Sequence, residues 1–235
     1  MNFDLGFKVP AADVPTVEKF FADHMAFMKS THTGPAEPKP LSYMVTKIPA
    51  DDGTVYAMSE TYSGMEGCSK HMEVAKATGD ILPRFMDTVK KYATGVSLMA
   101  PVTASMASET PVTVGCKAIN FVYKVPDEEA AGVDAFFAEH KTFMADTHKT
   151  SGDTEPVILY YTATKAAELK DSDDPSKGTT GFQLYALCEV YKGMAGCEAH
   201  IAAGKAKPEF FAKFEEIVGK YAISSAMMGE VICSM

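Results

Sequence analysis

The chain has 235 residues, with 31 acidic against 22 basic side chains, a formal net charge of −9, and 46% hydrophobic and 23% charged residues. That composition belongs to a folded globular protein and argues against a disordered one. The acidic balance, without a lysine or arginine cluster, weighs against nucleic acid and anionic membranes as partners. The start, MNFDLGFKVP, lacks a basic stretch followed by an apolar one, and no run approaches the roughly 20 apolar residues of a membrane span. The expectation is a cytoplasmic protein with no membrane partner, whose five cysteines, lacking CxxC spacing, are reduced thiols.

In chain order, Phe3, Leu5, Phe7 and Val9 alternate with Asp4, Gly6 and Lys8, which predicts a first strand ended by Pro10. Asp13 or Thr16 is placed to cap a helix running to about Thr31, with Val17, Phe20, Phe21, Phe27 and Met28 on one face. After a Gly/Pro-rich connection come two strands, 41–47 and 54–62, joined by the hairpin signal Asp51-Asp52-Gly53. Gly64 breaks the chain. Helices follow over 65–77 and 81–92, then a strand over 96–104.

The whole pattern then repeats. Phe7-Lys8-Val9-Pro10 returns as Tyr123-Lys124-Val125-Pro126, and FFADHMAFMKSTH from Phe20 returns as FFAEHKTFMADTH from Phe136, at a spacing of 116. YAMSETYSGMEGCSKH from Tyr56 returns as YALCEVYKGMAGCEAH from Tyr185, at a spacing of 129. The difference, 129 − 116 = 13, assigns thirteen extra residues to the second copy, most of them in AAELKDSDDPSKGTTG, whose polarity predicts a longer loop. Val102, Ser105 and Met106 answer Val231, Ser234 and Met235. The expected division is therefore a first repeat over 1–106, a linker over 107–116 and a second repeat over 117–235.

The order β-α-β-β-α-β is the ferredoxin-like arrangement, an α+β fold with helices on one sheet face. Tandem copies supply two such sheets at high effective concentration, so the expected architecture is a pseudo-dimeric α/β barrel packed sheet to sheet. In it each half covers the other's open, apolar face. Further self-association of this intramolecular pseudo-dimer is compatible with the sequence.

Glu60-Thr61-Tyr62 followed by His71, and Glu189-Val190-Tyr191 followed by His200, resemble the antibiotic biosynthesis monooxygenase-like members of the dimeric α/β barrel superfamily. Members of that family typically carry a glutamate and an aromatic on the third strand and a histidine early in the next helix. The aromatic is usually tryptophan there, whereas this chain has none and places Tyr62 and Tyr191. The resemblance implies a cofactor-independent monooxygenase-like enzyme acting on a small hydrophobic or aromatic substrate. The alternative is a non-catalytic small-ligand-binding or stress-related protein of the same fold.

The six histidines form three pairs related by the duplication. His24 and His140 fall on the apolar face of the first helix, which fits either a satisfied core imidazole or a base in a pocket between that helix and the sheet. Glu60 and Glu189 stand among aromatics. They read either as salt bridges at a strand end or as carboxylates that hold a histidine tautomer, giving His24, His140, Glu60 and Glu189 as the candidate catalytic set. Tyr62, Tyr191, His71, His200, Phe21, Phe137, Met28 and Met144 are the candidate pocket lining, with His71 and His200 at the rim. His32 and His148 lie at helix C-termini, where the dipole favours a charged imidazole. His24, Met28 and His32 also raise haem or copper as an alternative to a site with no metal or cofactor, but the eight-residue span turns the outer pair about 80° apart. Cys68 and Cys197 are expected to be buried and inert.

Overall fold

The computed structural model describes residues 1–34, 36, 38–171 and 174–235. Strand β1 (Asn2–Pro10) leads into helix α1 (Val14–Thr31), then β2 (Pro40–Ala50), β3 (Gly53–Tyr62), α2 (Met65–Ala77), α3 (Ile81–Tyr92), β4 (Ala93–Ala100) and β5 (Val102–Ala107). The second copy runs β6 (Lys117–Pro126), α4 (Ala130–Thr147), β7 (Ile158–Leu169), β8 (Thr179–Tyr191), α5 (Met194–Lys205), α6 (Pro208–Tyr221) and β9 (Ala222–Ser234). Asp13 makes no side-chain capping bond at α1; it pairs instead with Lys91 at 3.2 Å, while Pro15 supplies a preset φ in the first turn. The insertion makes the longer connection that was expected: the strands end at Leu169 and resume at Thr179, against Ala50 and Gly53 in copy 1. It lengthens the β7–β8 hairpin, pairing Leu169 with Thr179, and Lys124 holds Glu168 there at 2.7 Å. Pro35 and Glu37 of the first Gly/Pro-rich connection, and Ser172 and Asp173 of the insertion, lie outside the described residues.

Among the described residues, nine strands join one antiparallel sheet in the order β4-β1-β3-β2-β9-β6-β8-β7-β5. The strand expected over 96–104 is two strands, because Pro101 cannot donate to a ladder. Its first part, β4, pairs with β1 of its own copy, and its second part, β5, pairs with β7 of the other. β9 does the same, serving β6 and then β2. The turn falls at equivalent residues, Met99 (φ 53°) and Met228 (φ 60°), beside β-bulges opposite Asn2/Asp4 and Ala118/Asn120, which re-aim each strand from one sheet to the other. Since β4 and β5 are consecutive, the sheet closes on itself as a barrel with the helices outside. Among the described residues, no helix is long and apolar enough to cross a membrane.

The helix-facing sides carry the main cores: Phe3, Leu5, Phe7, Tyr56 and Met58 under α1 in copy 1, and Ile119, Phe121, Tyr123, Tyr185 and Leu187 in copy 2. The faces turned toward each other were expected to be apolar and are mixed. Beside Met44, Ala118, Cys188 and Val231, the barrel interior buries Asn2, Asp4, Thr46, Ser59, Thr61, Asn120, Thr162 and Thr164. Small polar side chains are admitted because they bond across the seam. Thr164 Oγ1 donates to Asp4 Oδ2 at 3.0 Å, and Asn120 Nδ2 donates to Thr46 Oγ1 at 3.1 Å. These are one contact seen twice, since Asp4 corresponds to Asn120 and Thr46 to Thr164.

Burial raises the Asp4 carboxyl above its ordinary 3.8, with the bonds from Ser59, Asn2 and Thr164 opposing the rise. The folded state thus keeps this proton when the unfolded chain has lost it, and stability falls as pH rises from about 3.8 through the folded value. Asp4→Asn installs the residue that copy 2 already uses. We expect it to raise the Tm at pH 8 and leave it nearly unchanged at pH 3.5, measured by thermal unfolding at both pH values.

Candidate active site

Strand alternation places Glu60, with Tyr56, Met58 and Tyr62, on the helix-facing side of β3, under α1 and α2. There His24 from α1 and His71 from α2 converge on it. His24 Nε2 stands 3.7 Å from Glu60 Oε1, His71 Nε2 stands 3.8 Å from Oε2, and the Tyr62 hydroxyl donates to Oε2 at 3.1 Å. Copy 2 repeats this more tightly: His140 Nε2 to Glu189 Oε1 is 3.2 Å, His200 Nε2 to Oε2 is 3.4 Å, and the Tyr191 hydroxyl donates to Oε2 at 2.8 Å. Glu60 and Glu189 are 1% and 0% exposed. In both, Oε1 makes no hydrogen bond of acceptable geometry.

Each imidazole's other nitrogen is occupied. His24 Nδ1 meets the Tyr43 hydroxyl at 3.1 Å, and His140 Nδ1 meets that of Tyr161 at 3.2 Å. His71 Nδ1 lies 2.8 Å from His32 Nε2, whose Nδ1 in turn lies 2.6 Å from Thr31 Oγ1. The Thr31 hydroxyl spends its proton on the Phe27 carbonyl at 2.7 Å, so it accepts from His32 Nδ1–H. His32 Nε2 is then a lone pair, and it accepts from His71 Nδ1–H. His71 Nε2 is therefore also a lone pair, turned toward Glu60. Thr147, His148 and His200 form the same relay at 2.9 and 3.0 Å, with Thr147 donating to the Phe143 carbonyl.

Burial pushes His24 and His71 down to about 3 and His32 and His148 to about 4, which keeps the relays neutral near neutral pH. Burial lowers His200 as well. The two carboxyls diverge. Burial lifts Glu60 to about 8, opposed by the Tyr62 bond. Burial acts on Glu189 too, but His200, His140 and the Tyr191 hydroxyl outweigh it and hold the carboxyl near 2. The shorter contacts of copy 2 account for the difference.

His71 and His200, expected at a pocket rim, are thus members of the cluster, and His71 is buried. His32 and His148, expected to carry charge at helix ends, are buried relays, because α2 and α5 close over the last turns of α1 and α4. Tyr62 and Tyr191 bond the carboxylates. Phe21, Met28, Phe137 and Met144 are packed into the cores. All five cysteines are thiols; Cys68 and Cys197 are buried, and burial raises Cys197 to about 12. Sequence reasoning missed Tyr43 and Tyr161, although Tyr43-x-x-Thr46 recurs as Tyr161-x-x-Thr164. Their spacing of 118 matches neither of the two main blocks.

A cavity of about 30 Å³ lies beside His140, Glu189 and His200, walled by Ile119, Leu187, Ile201, Gly204, Phe210 and Phe214 among others. Copy 1 has Phe3 where copy 2 has Ile119 and Ala75 where it has Gly204, and the Phe3 ring lies 5.8 Å from that of His71. A larger cavity of about 810 Å³ lies at the seam of the two copies, lined by Ser42, Met44, Tyr160, Thr162 and the segment Ser108–Val112, and it reaches Tyr43 and Tyr62.

Closed sheet, outer helices and duplicated strand exchange together define a dimeric α/β barrel, here made by one chain. Solved structures with this fold include a protein carrying the name monooxygenase from Fusobacterium nucleatum (14% identity, 99% of this chain and 92% of that one, TM-score 0.58). A second, from Lactobacillus acidophilus, carries the same name (18%, 98% and 92%, 0.51), and an anthrone oxidase-like protein also matches (13%, 100% and 92%, 0.52). No protein-family model and no curated protein matches the chain.

Proposed function

We propose that the chain is a monooxygenase-like oxidoreductase acting on a small hydrophobic or aromatic molecule, with its chemistry at the His-Glu-His cluster and copy 2 as the working copy. The observation that carries this reading is the cavity beside His140, Glu189 and His200 with apolar walls, where Ile119 and Gly204 take the places of the bulkier Phe3 and Ala75 of copy 1. Its volume suits one water or dioxygen molecule. An organic substrate reaches the cluster only when α5 or α6 moves aside. His140, held by Tyr161, faces the substrate as proton acceptor, Glu189 orients it, and Tyr191 forms the wall.

Oxygen uptake over a panel of phenols and 1,3-diketones tests this reading. We expect uptake with at least one compound, a loss of about 10²–10⁴-fold in His140→Ala, and near-parent rates in His24→Ala. Uptake unaffected by His140→Ala contradicts the assignment. Ile119→Phe, which copies the bulk of Phe3, is expected to close the cavity and abolish uptake while leaving the Tm at or above the parent value.

A non-catalytic ligand carrier is the second reading, favoured by the seam cavity, whose volume falls in the usual small-molecule range of about 300–1,000 Å³ and whose Thr162 hydroxyl is buried without a partner. A carrier gains Tm from a panel compound without consuming oxygen.

A further inference from the structure

We propose that the duplicated His-Glu-His clusters are divalent transition-metal sites, with His140 Nε2, His200 Nε2 and the Glu189 carboxylate as ligands in copy 2 and His24 Nε2, His71 Nε2 and Glu60 in copy 1. The inference rests on the reading that the cluster is the working site, and names what it holds.

Five observations converge on it. In each copy the three ligand atoms lie within 4.8 Å of one another. In copy 2 each carboxylate oxygen meets one imidazole, Oε1 with His140 Nε2 at 3.2 Å and Oε2 with His200 Nε2 at 3.4 Å, separations close to the roughly 3.3–3.4 Å between neighbouring ligands on bonds of about 2.0–2.1 Å; copy 1, at 3.7 and 3.8 Å, has to contract slightly.

The outward nitrogens are engaged as those of metal-bound histidines are, by Tyr161 and His148 in copy 2 and by Tyr43 and His32 in copy 1. The relay leaves His71 and His200 presenting bare lone pairs to a carboxylate. Two acceptors so placed repel unless a proton or a metal cation sits between them. Finally, Oε1 of Glu60 is buried without a hydrogen bond, and buried Oε1 of Glu189 has the 3.2 Å approach of His140 Nε2 and no hydrogen bond of good geometry, an uncommon cost in a protein interior.

Two imidazoles and one carboxylate suit zinc, ferrous iron, cobalt or manganese. The cavity beside the copy 2 cluster has room for a water as the remaining ligand, and not for a porphyrin. With an ion in place, His140 Nε2 is a ligand, and proton transfer passes to that water.

Equilibrium dialysis of tag-free, chelator-treated full-length protein against Zn(II), Co(II), Mn(II) and, without oxygen, Fe(II) is the test. We expect up to two ions per chain with sub-micromolar affinity for at least one metal, and the tighter site in copy 2. Glu189→Gln, nearly isosteric, is expected to weaken that site at least 100-fold and leave the copy 1 ion bound; Glu60→Gln is expected to do the converse. No metal binding below 10 µM, or binding unchanged by both substitutions, overturns the inference. Loss of oxygen uptake in His140→Ala without any metal binding sinks the metal site and leaves the functional reading standing. Tight, glutamate-dependent binding without uptake of oxygen on any compound supports the metal site and sinks the functional reading alone.

Discussion

Leucine at Glu189 is expected to leave the protein folded, within about 1 kcal/mol of the parent, whereas leucine at His140 is expected to cost about 3 kcal/mol. The asymmetry follows from what each change leaves behind. Without Glu189 the cavity and the two imidazoles remain, and the Tyr191 hydroxyl keeps its contact with His148 Nε2 at 3.2 Å. The unbonded Oε1 disappears with the carboxylate. Without His140, the buried Glu189 carboxyl loses the imidazole that stands 3.2 Å from its Oε1 and gains no polar group in its place. Urea unfolding of the two variants, analysed as one transition, gives both values. If the cluster served packing alone, both leucines would cost the same or neither would cost anything. Glu189→Leu is also expected to abolish metal binding in copy 2, so that function and stability separate at one residue.

Gly6→Val is expected to destabilise the chain by about 3 kcal/mol, the upper end of ordinary overpacking. Gly6 pairs with Gly95, and side chains of the other copy crowd both. A Cβ on Gly6 would lie 1.9 Å from Ser224 Oγ, and one on Gly95 would lie 2.8 Å from Val122 Cγ1. Ser224 is the copy 2 equivalent of Gly95, and Val122 that of Gly6. Each glycine of one sheet therefore receives a side chain of the other, and the symmetry of the duplication is broken where two equal side chains would collide. Adding Ser224→Gly to Gly6→Val is expected to recover most of the loss, as a double-mutant cycle in urea reads directly. Additive costs would mean that the sheets do not meet at this point.

The duplication was legible because its helices and third strands kept their order and spacing. Helical periodicity placed His24 and His140 on the buried face of their helices, where the structure has them. The same periodicity put His71 about 80° from the centre of its stripe and so read it as rim. It is buried because Phe3, Phe27 and Tyr62 pack around its ring, which no single helix records. The barrel interior was misread for a related reason. Asp4, Ser59 and Thr61 look like a solvated strand face until a second polar face is laid over them and bonds to them. The cavity in copy 2 depends on Ile119 and Gly204 replacing Phe3 and Ala75, two modest differences among many between the copies, and only coordinates show that both border the same space.

The account turns on lone pairs converging on a buried carboxylate, and the ring nitrogens of the six histidines report on it. Long-range proton–nitrogen correlation spectra of protein labelled with ¹⁵N at histidine, recorded free of metal near neutral pH, separate the two neutral tautomers. The expected result is His71 and His200 protonated at Nδ1 and bare at Nε2, with added zinc shifting those Nε2 signals first. Nε2–H on either residue, donated to its glutamate, would contradict the relay and the site built on it.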